Sequence, residues 1–83
     1  MYEVRIEIEF DSNYFYMSIM LDSSAVYAHE YAKHVLVETV EKYFTDEQKA
    51  GINDEAKYVV IPVDNKNFCE WVKMSKTYRE IMQ

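Results

Sequence analysis

Residues 2–10 constrain the chain most. Tyr2, Val4, Ile6, Ile8 and Phe10 alternate with Glu3, Arg5, Glu7 and Glu9. Successive side chains of a strand point to opposite faces, so this run predicts a strand buried on one side only. Asp11-Ser12-Asn13 supplies turn residues. Residues 14–21 then repeat the pattern, with Phe15, Met17, Ile19 and Leu21 on one face and Tyr14, Tyr16, Ser18 and Met20 on the other. A slip of one residue turns a whole strand face over, so burial of both apolar sets selects the register. The expected pairs are Phe10 with Phe15, Ile8 with Met17, Ile6 with Ile19 and Val4 with Leu21. Outward, Asp11 then lies beside Tyr14, Glu9 beside Tyr16, Glu7 beside Ser18 and Arg5 beside Met20.

Asp22-Ser23-Ser24 is a helix N-cap cluster. Residues 24–44 continue without Gly or Pro, and Ala28, Ala32, Val35, Leu36, Val40, Tyr43 and Phe44 form the expected core stripe. Thr45-Asp46-Glu47-Gln48 predicts a second cap and a short helix that stops near Gly51. Residues 58–63 read as a third strand, with Pro62 at an edge or a strand end. A last helix is expected over 67–82, capped by Asn65 or Asn67. There Trp71, Met74, Tyr78 and Ile81 make one stripe, and Phe68 and Val72 a neighbouring one, more apolar surface than one core contact needs. The expected fold is α+β: one domain over residues 1–83 in β-β-α-β-α order, a three-stranded sheet against a long helix with a C-terminal helix.

The composition bounds the function. Eighty-three residues build one modest core. Hydrophobic residues at 49% exclude a disordered chain. The opening residues alternate charge and apolar character, so they predict no signal peptide, and no apolar run is long enough to predict a membrane span. The single Cys69 has no internal partner and suits a reducing cytoplasm, as a small buried hydrophobe near Phe68 and Trp71. One Gly excludes a glycine-rich phosphate loop, and the serines lie in no GxSxG or SxxK setting. His29 and His34 are five apart and do not share a helix face. Glu30, His34 and Glu38 do, but no second wall of ligands accompanies them, so a solvated face is expected. No catalytic residues, metal or cofactor are therefore assigned, and no enzymatic activity is expected.

Charge is distributed unevenly. Residues 1–64 net −8 and residues 65–83 net +2, which sums to −6. An acidic body repels nucleic acid and attracts basic partners. The outward row of Glu3, Glu7, Glu9 and Asp11, with Tyr14 and Tyr16, is the candidate partner surface, extended by the loop acids Asp46, Glu47, Asp54 and Glu55. Alternate residues on a strand lie about 6.8 Å apart, which matches the axial rise of about two nucleotides in one DNA strand. Carboxylates at that pitch can offer a basic groove what phosphates offer. Two rivals stand beside this reading: a merely solvated face, and a face covered by the basic last helix through Lys66, Lys73, Lys76 and Arg79.

No family motif is present. The profile is similar to that of phage-encoded inhibitors, some of which present carboxylates to nucleic-acid-binding enzymes such as restriction or CRISPR effectors. That likeness is one of class and carries no residues across. It implies an acidic DNA mimic, working in the host cytoplasm, whose partner is a basic protein rather than nucleic acid or membrane. The alternative expectation is a structural or accessory subunit that self-associates, for example as a homodimer, through exposed aromatic stripes.

Overall fold

The computed structural model describes residues 1–10, 13–52, 55–63 and 75–82. They form an α+β arrangement in the order β1 (Tyr2–Phe10), β2 (Asn13–Leu21), α1 (Ala25–Tyr43), α2 (Asp46–Gly51), β3 (Ala56–Pro62), β4 (Ser75–Thr77) and α3 (Tyr78–Met82). The sheet has four antiparallel strands in the order β2-β1-β3-β4. The expected three-stranded sheet therefore gains a strand. Ser75, Lys76 and Thr77, placed by the sequence inside the last helix, pair instead with Val59, Tyr58 and Lys57. Helical periodicity alone could not separate these residues from the turn that follows, because only pairing with β3 makes three residues a strand. Helix is seen over Tyr78–Met82. The remainder of the expected helix, with Lys66, Phe68, Cys69, Trp71, Val72, Lys73 and Met74, lies outside the described residues.

The hairpin register is corrected by two residues. Phe10 pairs with Asn13, Ile8 with Phe15, Ile6 with Met17, Val4 with Ile19 and Tyr2 with Leu21. Asn13 thus belongs to β2, and two residues separate the strands, the commonest hairpin spacing. The physical reason for the error is parity. Hydrophobic alternation distinguishes odd from even slips but not a slip of two, which keeps every side chain on its own face. The inward set from Tyr2 to Ile8 and from Phe15 to Leu21 is therefore as expected while the pairs are not, and the side chain of Phe10 lies outside the described ones.

β1 is central. Its other edge pairs with β3, from Tyr2 opposite Pro62 to Ile8 opposite Ala56. Main-chain bonds from Glu9 to Glu55 (2.9 Å) and from Val63 to Met1 (3.1 Å) extend this pairing at both ends. Pro62 ends β3 opposite Tyr2, between the hydrogen-bonded pairs of the ladder, so its missing N–H removes no bond to β1. β2 and β3 both run against β1, so they are parallel to each other and α1 carries the chain across the sheet.

Ser24 caps α1 by accepting the Tyr27 N–H at 3.2 Å. Ala28, Ala32, Leu36 and Val40 recur every fourth residue and are fully buried against Val4, Ile6 and Ile8 of β1 and Ala56, Tyr58 and Val60 of β3. α1 lies over β1 and β3, the two inner strands. Three members of the expected stripe differ, Phe44 being half-buried. Val35 is half-buried, and Tyr43 is 63% exposed because it stands at the margin of the sheet beside Phe15, ring centroids 6.3 Å apart. Thr39, not expected in the core, is buried next to Val40. Tyr78 of α3 joins the core and Ile81 packs against it, so this half of the expected aromatic stripe faces inward.

Thr45 caps α2 in a reciprocal box: its hydroxyl accepts from the Gln48 N–H (3.2 Å) while the Gln48 amide oxygen accepts from the Thr45 N–H (2.9 Å). Thr45→Ala removes half of this box and is expected to lower stability by about 1 kcal/mol. Urea unfolding checks the value. No described helix is long and apolar enough to cross a membrane.

Candidate partner-binding face

Among the described helices, α1 and α3 pack their buried side chains on one side of the sheet. On the other, outward residues of four strands line up in cross-strand rows. Tyr16, Glu7, Lys57 and Thr77 form one row, and Ser18, Arg5, Val59 and Ser75 form the next. Tyr14 stands opposite Glu9, and Met20 opposite Glu3. The structure thus brings Glu3, Glu7, Glu9, Tyr14 and Tyr16 onto one face, as the alternation required.

The two tyrosines are the most exposed aromatic pair on this face, at 65% for Tyr14 and 47% for Tyr16. Their rings stack, with centroids 6.5 Å apart and planes 8° from parallel. Alternation on one strand produces this: i and i+2 project the same way, and flat rings at that separation lie side by side. Beside them Glu7, Glu9, Glu55, Lys57 and Tyr14 line a shallow concavity of about 510 Å³. Glu55 reaches it because its carbonyl accepts from the Glu9 N–H, which ties the start of β3 to the end of β1.

The face is acidic but not uniformly so. Arg5 Nε donates to Glu3 Oε2 at 2.8 Å, and the Ser18 hydroxyl donates to the same oxygen at 2.7 Å. These bonds, the one from Arg5 first, hold the Glu3 carboxyl below its usual range, and the reciprocal contact raises the Arg5 guanidinium. Lys57 approaches Glu7 at 3.7 Å. The cations on this face therefore come from β1, where the alternation already set Arg5 outward, and from β3, whose Lys57 the sequence reading did not place. Lys57 could have been found from its position between Ala56 and Tyr58: in a strand whose apolar neighbours point inward, it must point outward.

The expected covering by the basic tail is not what the described residues form. Lys76 is paired with Tyr58, a core-facing position, and so stands on the helix side of the sheet. α3, which carries Arg79, contacts α1 and buries Tyr78 in the core. Lys66 and Lys73 lie outside the described residues.

The loop acids separate. Glu55 joins the face. Asp46 and Glu47 occupy the first turn of α2, where carboxylates suit the helix N-terminus. Gln48 of α2 lines a 290 Å³ hollow with Ile8, Tyr14, Phe15, Thr39, Tyr43 and Phe44. Asp46 engages Lys49 at 3.1 Å. Asp11 and Asp54 lie outside the described residues.

Glu30, His34 and Glu38 do not converge: Glu30 pairs with Lys33 (3.3 Å) and His34 with Glu38 (3.0 Å), all at the surface of α1. Among the described residues no group of three or more His, Cys, Asp or Glu side chains is arranged to hold a metal ion. His29 is different, because its Nδ1 lies 3.0 Å from the Tyr58 hydroxyl, with the rings edge to face. Burial, then the nearby Lys76, lower the His29 pKa, against a smaller opposite effect of Glu30. Tyr58 is anchored in the core, so this pair ties α1 to β3. No known protein family, curated protein or solved structure matches the chain.

Proposed function

We propose that the chain is a small acidic protein-binding module whose acidic outer sheet face occludes a basic, nucleic-acid-binding site on another protein, in the manner of inhibitors that mimic DNA. The observation that carries this reading is the stacked Tyr14–Tyr16 pair beside the concavity lined by Glu7, Glu9 and Glu55. Exposed tyrosines provide area and a polar tip at low entropic cost, and they are enriched where binding energy concentrates. The carboxylates beside them provide attraction to a basic surface and steer its approach. Glu9 is the strongest candidate among them. It is exposed, whereas Glu3 is engaged by Arg5 and Ser18 and Glu7 by Lys57.

The test is affinity capture from cells of the source organism, with wild-type protein and with Glu9→Lys and Tyr14→Ala variants as bait. The expected result is retention of a basic nucleic-acid-binding protein by the wild type. It should elute as salt rises and be displaced by duplex DNA. Charge reversal at Glu9 is expected to weaken binding tenfold or more, since like charges across an interface cost several kcal/mol. Tyr14→Ala should cost roughly 1–2 kcal/mol of binding. Glu9→Lys should melt like the wild type, within about 0.5 kcal/mol, as exposed substitutions do. Equal retention by the Glu9→Lys bait, or retention that DNA does not displace, overturns the reading.

A further inference from the structure

We infer that β2 is the dimerisation strand of this protein: two copies join edge to edge, antiparallel about Met17, into one eight-stranded sheet. The inference is independent of the acidic face and starts from what β2 lacks. β2 is an edge strand of nine residues, and among the described residues no strand or main-chain hydrogen bond reaches its outer side. Long edges are normally blunted by charge, proline, a bulge or shortness. The opposite edge, β4, has three residues and carries Lys76. β2 has none of these devices. Residues 12–21 are the longest uncharged run in the sequence, bounded by Asp11 and Asp22, and they contain neither Pro nor Gly.

Both faces of this strand are incompletely covered. Because α1 lies over β1 and β3, the inward side chains of β2 are only half-buried. Phe15, Met17 and Ile19 line a groove of about 340 Å³ whose other wall includes Tyr31, Val35 and Tyr43 of α1. An added strand would close that groove while pairing the free backbone.

The occupant is a second copy for two reasons. A chain of net charge −6 is on balance repelled by its own copy, and β2 is the longest stretch of it that carries no charge to oppose the approach. The strand is also complementary to its own reverse. Antiparallel overlap of Asn13–Leu21 centred on Met17 sets Phe15 against the partner's Ile19 and Tyr14 against the partner's Met20. Phe15 and Tyr14 thus each meet an aliphatic side chain, a favourable cross-strand combination, while Tyr16 meets the partner's Ser18. The two-fold axis leaves each copy's faces in place. The tyrosine pairs of both copies then lie side by side on a single continuous outer face.

Sedimentation of the wild type and a crosslink test this together. Sedimentation equilibrium should show a concentration-dependent mass reaching twice the 10.0 kDa chain. Association should hold or strengthen as salt rises, because salt screens only the repulsion here. In a Cys69→Ser background, Met17→Cys should form a covalent dimer on mild oxidation. Residue 17 faces its own copy at about 4.5–5.5 Å between Cα atoms, within disulfide reach. Tyr14→Cys is more exposed but should crosslink poorly, since its two copies lie about 20 Å apart. A monomeric mass at all concentrations, or faster crosslinking of the position 14 variant than the position 17 variant, overturns the proposal.

Discussion

Ile6→Asp is expected to abolish folding, whereas Glu9→Ala, three residues along the same strand, leaves the unfolding midpoint nearly unchanged. Ile6 is fully buried at the centre of β1, between Met17 on one neighbour and Tyr58 on the other. Removing its apolar side chain forfeits about 1.5–3 kcal/mol. Placing a carboxylate there adds several kcal/mol, because it would sit within the hydrophobic cluster while Lys76, on that side of the sheet, is exposed two strands away. Stability at about 0.05–0.15 kcal/mol per residue comes to roughly 4–12 kcal/mol for 83 residues. The combined cost matches or exceeds the lower part of that range. Circular dichroism and urea melts of the two variants measure the contrast. Comparable damage from Glu9→Ala would mean that the outward face carries packing the described contacts do not contain.

Tyr58→Ala is the second large effect, an expected loss of about 3–5 kcal/mol. Tyr58 is the largest of the fully buried side chains, and its ring fills the space between β3 and α1. Tyr58→Phe keeps the ring and removes only the hydroxyl that meets His29, so it should cost about 1 kcal/mol. The same pair makes stability depend on pH in a defined direction. The folded His29 pKa lies below its ordinary value of 6.5, because burial and Lys76 disfavour the imidazolium. The unfolded chain therefore binds a proton that the folded chain refuses. This contribution is complete above about pH 6.5 and is lost as pH falls below it, down to the folded pKa. Glu3 acts in a lower window, since its carboxyl is held below 4.5 and its contribution fades only as pH falls through that range. Chemical melts between pH 5 and 8 should thus show stability falling toward pH 5, and His29→Gln should flatten that slope. An unchanged slope in the variant would place the proton uptake elsewhere.

Some of this was written in the residues themselves. The alternation at 2–10 and 14–21 determined which side chains of β1 and β2 face the core, since the strand period of two is a local property. The caps at Ser24 and Thr45, and the four-residue recurrence of Ala28, Ala32, Leu36 and Val40, determined where α1 and α2 begin and which side of α1 is buried. The common face of Glu3, Glu7, Glu9, Tyr14 and Tyr16 follows from the same alternation.

What required the tertiary structure was every relation between segments. The register of β1 on β2 depends on a slip of two that no hydrophobic pattern detects. Ser75–Thr77 became a strand only because β3 offered an unsatisfied edge to pair with. Strand order placed β1 inside and β2 outside, and so brought Lys57 beside Glu7 and left the uncharged strand at the margin. Local periodicity specifies the direction of a side chain. Only the pairing of distant segments, stabilised by buried area and backbone hydrogen bonds summed over the whole sheet, specifies its neighbours.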